Sequence, residues 1–260
     1  MFRVERAGKD DRDRIDVNRV DWVDVPAGSL WRGTPADAVA EVARRYADTG
    51  VPEDWYRKEA PRTRVRVEAF RMARTPVTVG QWRLFARETG GVTPSDAPAD
   101  HPVTGVGHDG AVAYCRWLGE RIGEPGLRLP TETEWERAAR GDDDREFPWG
   151  TEYRTGLANL VDLGLGTTTP VGSFPLGASP FGVLDLAGNA DEWTSTRYAP
   201  YPGAPDGVPE AEDWAHDPHI TRGGAFCHDR DLARCARRHG VYERDLSAIG
   251  VGFRLAAPAR

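Results

Sequence analysis

Downstream of Asp142 almost no segment has apolar residues recurring every three or four positions, and that absence limits the fold more than any other feature of the sequence. Stretches such as TTTPVGSFP (167–175), GVLDLAGNADEWTS (182–195) and ITRGGAFC (220–227) read instead as short strands and ordered loops. The 29 glycines, 20 prolines and nine tryptophans agree with many turns around a core of large rings. Helical patterning is confined to the first half. Residues Ala36 to Asp48 form a short amphipathic repeat, and Thr78 is placed to cap a helix over Val79 to Glu88 that Gly90-Gly91 would end. A third helix follows His108-Asp109. A fourth starts at a capping box, Thr131 with Glu134, and stops at Gly141.

Two strand patterns precede these helices. Asp21 to Gly33 reads as a strand, a turn at Pro26-Ala27-Gly28 and a second strand, while Arg62 to Thr78 alternates like one strand buried on one face. Residues 1–20 are charged and aperiodic, an expected irregular extension. No repeat or linker divides residues 21–260, so a single α+β domain is expected.

A net charge of −7, with arginines scattered among acids, gives no reason to expect nucleic acid or a membrane surface as partner. The N-terminus lacks the apolar core of a signal peptide, and no apolar run approaches the roughly 18 residues of a membrane span. Three cysteines are too few for a disulfide scaffold in a chain of 260 residues, and a reducing, cytoplasmic setting is the expectation.

Six spaced blocks occur in order: the segment from His101 to Gly141, then FPWG, TTTPVGSFP, FGVLDLAGNADEWTS, RGGAF and VGFRLA. From about Val23 to Ala256 the chain thereby resembles the formylglycine-generating enzyme, or sulfatase-modifying factor, family. The resemblance implies a single C-type-lectin-like domain of low regular secondary structure. It does not imply one activity. The family includes copper-dependent oxidases that make formylglycine from a peptide cysteine, domains of iron-dependent sulfoxide synthases, oxidative enzymes of secondary metabolism and variable ligand-binding proteins, so the site must decide.

The resemblance also implies calcium in LDLAGNADEW, held by the side chains of Asp185 and Glu192 and the carbonyls of Gly188 and Ala190. A second calcium would involve Asn159 and the carbonyl of Leu160, with Asp162 the nearby candidate carboxylate in a loop shorter than the family's. Copper in formylglycine-generating enzymes sits between two cysteines of the RGGAF block, with a histidine directly after the first. Cys227 and His228 match that first pair to within a one-residue gap. Cys235 lies eight residues on, instead of five, in a segment that is ordinarily core. Ala225 replaces a serine of the active enzymes, and Asp191 stands where many relatives carry tryptophan.

A reactive cysteine needs a cation, base or metal to hold its thiolate, and His228, Arg222, Arg230 and Arg234 are close in sequence to Cys227. Strand parity with Ala225 leaves burial of Cys227 equally open. Cys115, on the apolar face of a helix, and Cys235 read as core. His216 and His219, three apart and close in sequence to Cys227 and His228, could ligate iron, copper or zinc, or simply sit on the surface. His108 could line the same cleft or make a helix-start hydrogen bond. The segment RRHGVYER adds His239, Tyr242 and Glu243 on a loop that the family uses for ligand contact.

The expected protein is a divergent oxidoreductase of this family, acting on a small molecule or on an amino-acid side chain carried by a peptide or carrier protein. Cys227 and His228 would be catalytic, with Arg222, His108, Tyr242 and Glu243 as substrate contacts. Two rivals stand beside it: a non-catalytic ligand- or protein-binding module displaying variable loops, and a true formylglycine synthase pairing Cys227 with Cys235.

Overall fold

A computed structural model describes residues 19–208, 217–241 and 250–260, so most of the N-terminal extension lies outside the description. Strands β1 (Trp22–Val25) and β2 (Gly28–Arg32) flank the expected turn, but they enter different sheets. Helices α1 (Val39–Arg45), flanked by 3-10 turns, and α2 (Glu53–Arg57) follow. The alternating stretch expected as one strand is two, β3 (Thr63–Val67) and β4 (Phe70–Ala73). Strand β3 pairs antiparallel with β2, and β4 pairs antiparallel with β1. The physical reason is burial: β4 is covered on both faces, so Arg71 on it gives no one-sided pattern and instead reaches Glu124 and the Pro258 carbonyl.

Helix α3 (Val79–Thr89) starts at a complete capping box between Thr78 and Gln81 and stops at Gly90 in the left-handed region. Helix α4 (His108–Ile122) begins at His108 itself. Helix α5 (Glu132–Arg140) has the expected Thr131–Glu134 box, each side chain bonding the other's backbone amide. Nearly all of α5 is buried, including Glu132, Glu136, Arg137 and Arg140. Beyond Gly141 the described residues contain only 3-10 turns and strands: β5 (Asp191–Arg197), β6 (Asp217–Arg222), β7 (His239–Val241), β8 (Val251–Phe253) and β9 (Ala256–Pro258). A four-stranded sheet runs β7-β6-β5-β8, with β8 parallel to β5, and a three-stranded sheet runs β1-β4-β9. No helix among the described residues is long and apolar enough to cross a membrane.

The core is aromatic. Trp82, Phe85, Tyr114 and Phe253 stack edge-on or in parallel beneath α3 and α4, with Cys115 among them as expected. A second cluster joins Trp135 and the α5 alanines to Phe70, Met72 and Cys235. Removing the Thr131 hydroxyl would orphan the α5 amide at Glu134 and loosen the helix that carries Glu132 and Glu136. We expect Thr131→Ala to cost about 1 kcal/mol, readable as a lower denaturation midpoint with an unchanged slope.

Candidate functional site

The site forms where β5 begins, β6 ends and β7 begins. The loop before β5 turns sharply: Asp185 and Asn189 have positive φ (53° and 67°), as does Gly188 (70°). A side chain at Gly188 would meet the Asn159 carbonyl at 2.3 Å, so glycine is required there. This turn delivers Asp191 to the first position of β5. Glu192 pairs with Arg222 of β6, and Thr221 pairs with His239 of β7, which brings three separated segments side by side.

Asp191 is fully buried. Its Oδ2 accepts the Thr221 hydroxyl at 2.7 Å and faces His239 Nδ1 at 2.6 Å, and its Oδ1 accepts the Gly224 amide at 3.3 Å. Burial opposes ionisation, but the His239 imidazole and these donors outweigh it and hold the carboxyl down at about 2. Beyond Gly223-Gly224 the chain closes a tight turn in which His228 N–H donates to the Ala225 carbonyl and Ala225 N–H donates to His228 Nδ1, both at 2.9 Å. Because Nδ1 is an acceptor, the neutral ring carries its proton on Nε2. Burial, then the neighbouring His239, lowers the His228 pKa to about 4, so this ring is neutral at pH 7. The His228 and His239 rings stand edge to face with centroids 5.2 Å apart. Ligand atoms of Asp191, His228 and His239 all lie within 4.8 Å of one another, the one such three-residue group among the described residues.

Cys227 is exposed on the same turn, not sealed in a strand, since β6 ends at Arg222. Its thiol is nevertheless pushed above the ordinary cysteine range by the atoms around it and by the Asp191 carboxylate. Cys235 is sealed in the second core cluster, with its thiol raised to about 12 by burial, and its amide bonds the Glu146 carbonyl. One thiol at the surface and one in the core do not make a two-thiolate copper site.

Arg222, expected at the substrate, is instead wholly buried. Its guanidinium lies 2.5 Å from Glu136, donates to the Cys235 and Arg237 carbonyls and sits near the Trp135 ring. It belongs to a buried network in which Arg140, Arg222, Arg234, Arg237 and Arg238 meet Glu59, Glu132, Glu136 and Asp231. His108 is buried with Nε2 3.2 Å from the Thr194 carbonyl, and its ring stacks on His219 with centroids 3.4 Å apart. His216, Tyr242 and Glu243 lie outside the described residues.

The first calcium set does not fit as arranged. Both Glu192 oxygens are occupied: Arg254 donates at 2.6 and 2.5 Å and Trp135 Nε1 at 2.8 Å. The same guanidinium takes the Asp185 carbonyl, while Asp185 Oδ2 accepts the Gly172 amide and the Gly188 carbonyl accepts the Ala190 amide. A guanidinium thus stands where a dication would need open oxygens. In the second set, Asp162 accepts hydroxyls from Tyr153 and Thr155, and the Leu160 carbonyl accepts the Leu163 amide. Both hydroxyls go to Asp162 Oδ2, so Asp162 Oδ1 and the buried, unpartnered Asn159 Oδ1 are the two open side-chain oxygens of this set.

Sequence reasoning placed His239 on a ligand-contact loop and noted Asp191 as a departure, but did not join the two. The available signal was the carboxylate in GNADEW at a position where many relatives have tryptophan; the pairing of β6 with β7 that brings His239 to it has no sequence signature.

The fold and site define a class: a mixed α+β domain in which ordered loops present a histidine–carboxylate cluster at the end of a four-stranded sheet. More particularly, the chain belongs to the sulfatase-modifying factor enzyme 1-like family, whose domain matches residues 16–259. It is 33% identical to a hercynine oxygenase of Mycobacterium tuberculosis over 76% of this chain, though it spans only 55% of that relative's length. It is 30% identical to the formylglycine-generating enzyme of the same organism, over 78% of this chain and 92% of the relative. The solved structure of PvdO from Pseudomonas aeruginosa superposes with a TM-score of 0.71 at 25% identity, covering 93% of this chain and 95% of that one. CarF, at 20% identity and a TM-score of 0.63, shares the fold.

The exposures predict one reactive thiol in the native state. A disulfide dye is expected to label Cys227 alone in folded protein and all three cysteines in denaturant, with native labelling lost in Cys227→Ser. Labelling of Cys235 at a comparable rate would contradict the sealed core.

Proposed function

We propose that the chain is a divergent oxidoreductase of this family, acting on a small molecule or on an amino-acid side chain borne by a peptide or carrier protein, with its reaction centre at Asp191, His228 and His239 beside Cys227. The observation that supports this reading most is the convergence of those three side chains within 4.8 Å. Two imidazoles beside a carboxylate suit non-haem iron; both Asp191 oxygens already accept hydrogen bonds, so this carboxylate would act by orienting His239 while the imidazoles would supply the nitrogen ligands. When bound there, iron would supply one-electron oxygen chemistry.

The chain's own residues prepare the cluster. Thr221 and the Gly224 amide orient the Asp191 carboxylate and keep it ionised. Asp191 in turn fixes the His239 ring through Nδ1, leaving Nε2 for a ligand or a proton. The Ala225 amide donates to His228 Nδ1, which sets the neutral ring with its proton on Nε2. Cys227, exposed beside them, is placed to touch substrate and not to ligate with Cys235. The surface position of Cys227 supports a site over a core role, and the buried position of Cys235 argues against the formylglycine synthase reading.

The test is metal content together with oxygen uptake. Protein purified without chelator and reloaded with iron(II) is expected to hold one equivalent per chain. Asp191→Asn and His239→Gln should each weaken binding by more than about tenfold, with oxygen consumption lost in parallel. Failure of iron(II), cobalt(II) and copper(II) to bind, with no oxygen uptake on peptide or amino-acid substrates, would sink the proposal and leave a ligand-binding module.

A further inference from the structure

The buried ion network does not balance. It contains five guanidinium groups and only four carboxylates, and the excess falls on Arg140 at the end of α5. Arg140 has one ionic partner, Glu136 at 3.2 Å. That carboxylate is already shared with Arg222 at 2.5 Å and with the Gly33 amide at 2.9 Å. Arg140 is 6% exposed, and its Nε has no hydrogen-bond partner. A cation so far from water and so thinly paired is costly unless something else completes it.

What lies in front of it is space. Arg140 lines a cavity of about 180 Å³ beneath the Gly33–Pro35 turn and the start of α1, together with Arg45, Arg62 and Arg234. Two carboxylates also line it, but each has its own cation: Glu146 holds Arg45 at 2.6 Å and Asp144 holds Arg62. Arg234 is bound at both terminal nitrogens by Glu59. Asp143 also feels the Arg140 charge but is itself paired with Arg145 at 2.6 Å, so the local balance remains positive and its source is Arg140.

We propose that this cavity is a binding site for a small oxyanion, a carboxylate or a phosphate-like group, held by the Arg140 guanidinium with Arg62 also in its wall. The fork of a guanidinium matches two oxygens of such a group, which satisfies both the surplus charge and unused N–H donors. The cavity has the volume of several waters, enough for inorganic phosphate or a short dicarboxylate but not for a nucleotide. This site uses none of Asp191, His228 or His239, so it stands or fails independently of the oxidoreductase reading.

Calorimetry and thermal melts of the full chain at low ionic strength, titrated with inorganic phosphate in one arm and succinate in the other, test it. Saturable binding of at least one anion is expected, with a matching rise in Tm, and the arm that responds names the source. Arg140→Gln should weaken binding about tenfold or more, and Arg62→Gln, at a half-exposed pair, by a smaller factor. In anion-free buffer Arg140→Gln should melt no lower than the parent, because it removes an uncompensated charge. Should that variant fail to fold, Ala38→Glu puts a carboxylate at the cavity wall and is expected to abolish the response. No saturable binding of either anion, or binding unchanged in both Arg140→Gln and Ala38→Glu, overturns the proposal.

Discussion

The contact between Arg222 and Glu136 ties together the two halves of this molecule that the sequence leaves most different: a helical first half and a loop-built second half. Arg222 is the last residue of β6, and Glu136 lies in the middle of α5. Around that pair, Glu132 reaches Arg238 and Glu59 reaches Arg234, so the segment after the Gly223-Gly224 turn is pinned by side chains instead of by a ladder of backbone bonds. Such a network is a weak source of net stability, since each charge must leave water. Its effect is positional. Breaking one partner leaves another charge stranded, which makes alternative placements of these loops costly.

The consequence for the site is direct. His228 and His239 lie on either side of the pinned segment, His228 in an irregular turn and His239 at the start of the three-residue strand β7. They meet Asp191 because Arg222 fixes the end of β6 and Thr221, one residue earlier, pairs with His239 and bonds Asp191. The polar cluster is thus a by-product of register between strands joined by long irregular connections. The same device explains why Glu192, next to Asp191 but facing the other side of the sheet, is committed to Arg254 and structure.

Parts of the fold were legible in the sequence because their causes are local. The capping boxes at Thr78 and Thr131, the stops at Gly90 and Gly141 and the apolar face carrying Cys115 depend on neighbours within a few positions. The division of Arg62–Thr78 into two strands was not legible, because alternation records which face is buried and not which sheet receives it. The burial of Arg222 and Glu192 was not legible for a related reason: the partner that lets a charged residue be buried is distant in sequence.

By itself the sequence determined the family, the α+β class, four of the five helices of the first half (not α2), and Cys227-His228 as neighbours on a turn-rich segment. Only the tertiary structure decided that Cys227 is exposed while Cys235 is sealed, that the proposed calcium carboxylate is occupied by a guanidinium, and that Asp191 and His239 complete a cluster with His228. The physical reason is range. Propensity, capping and periodicity act over a few residues, whereas the Asp191–His239 and Arg222–Glu136 contacts join atoms 48 and 86 positions apart and depend on the whole chain being in place.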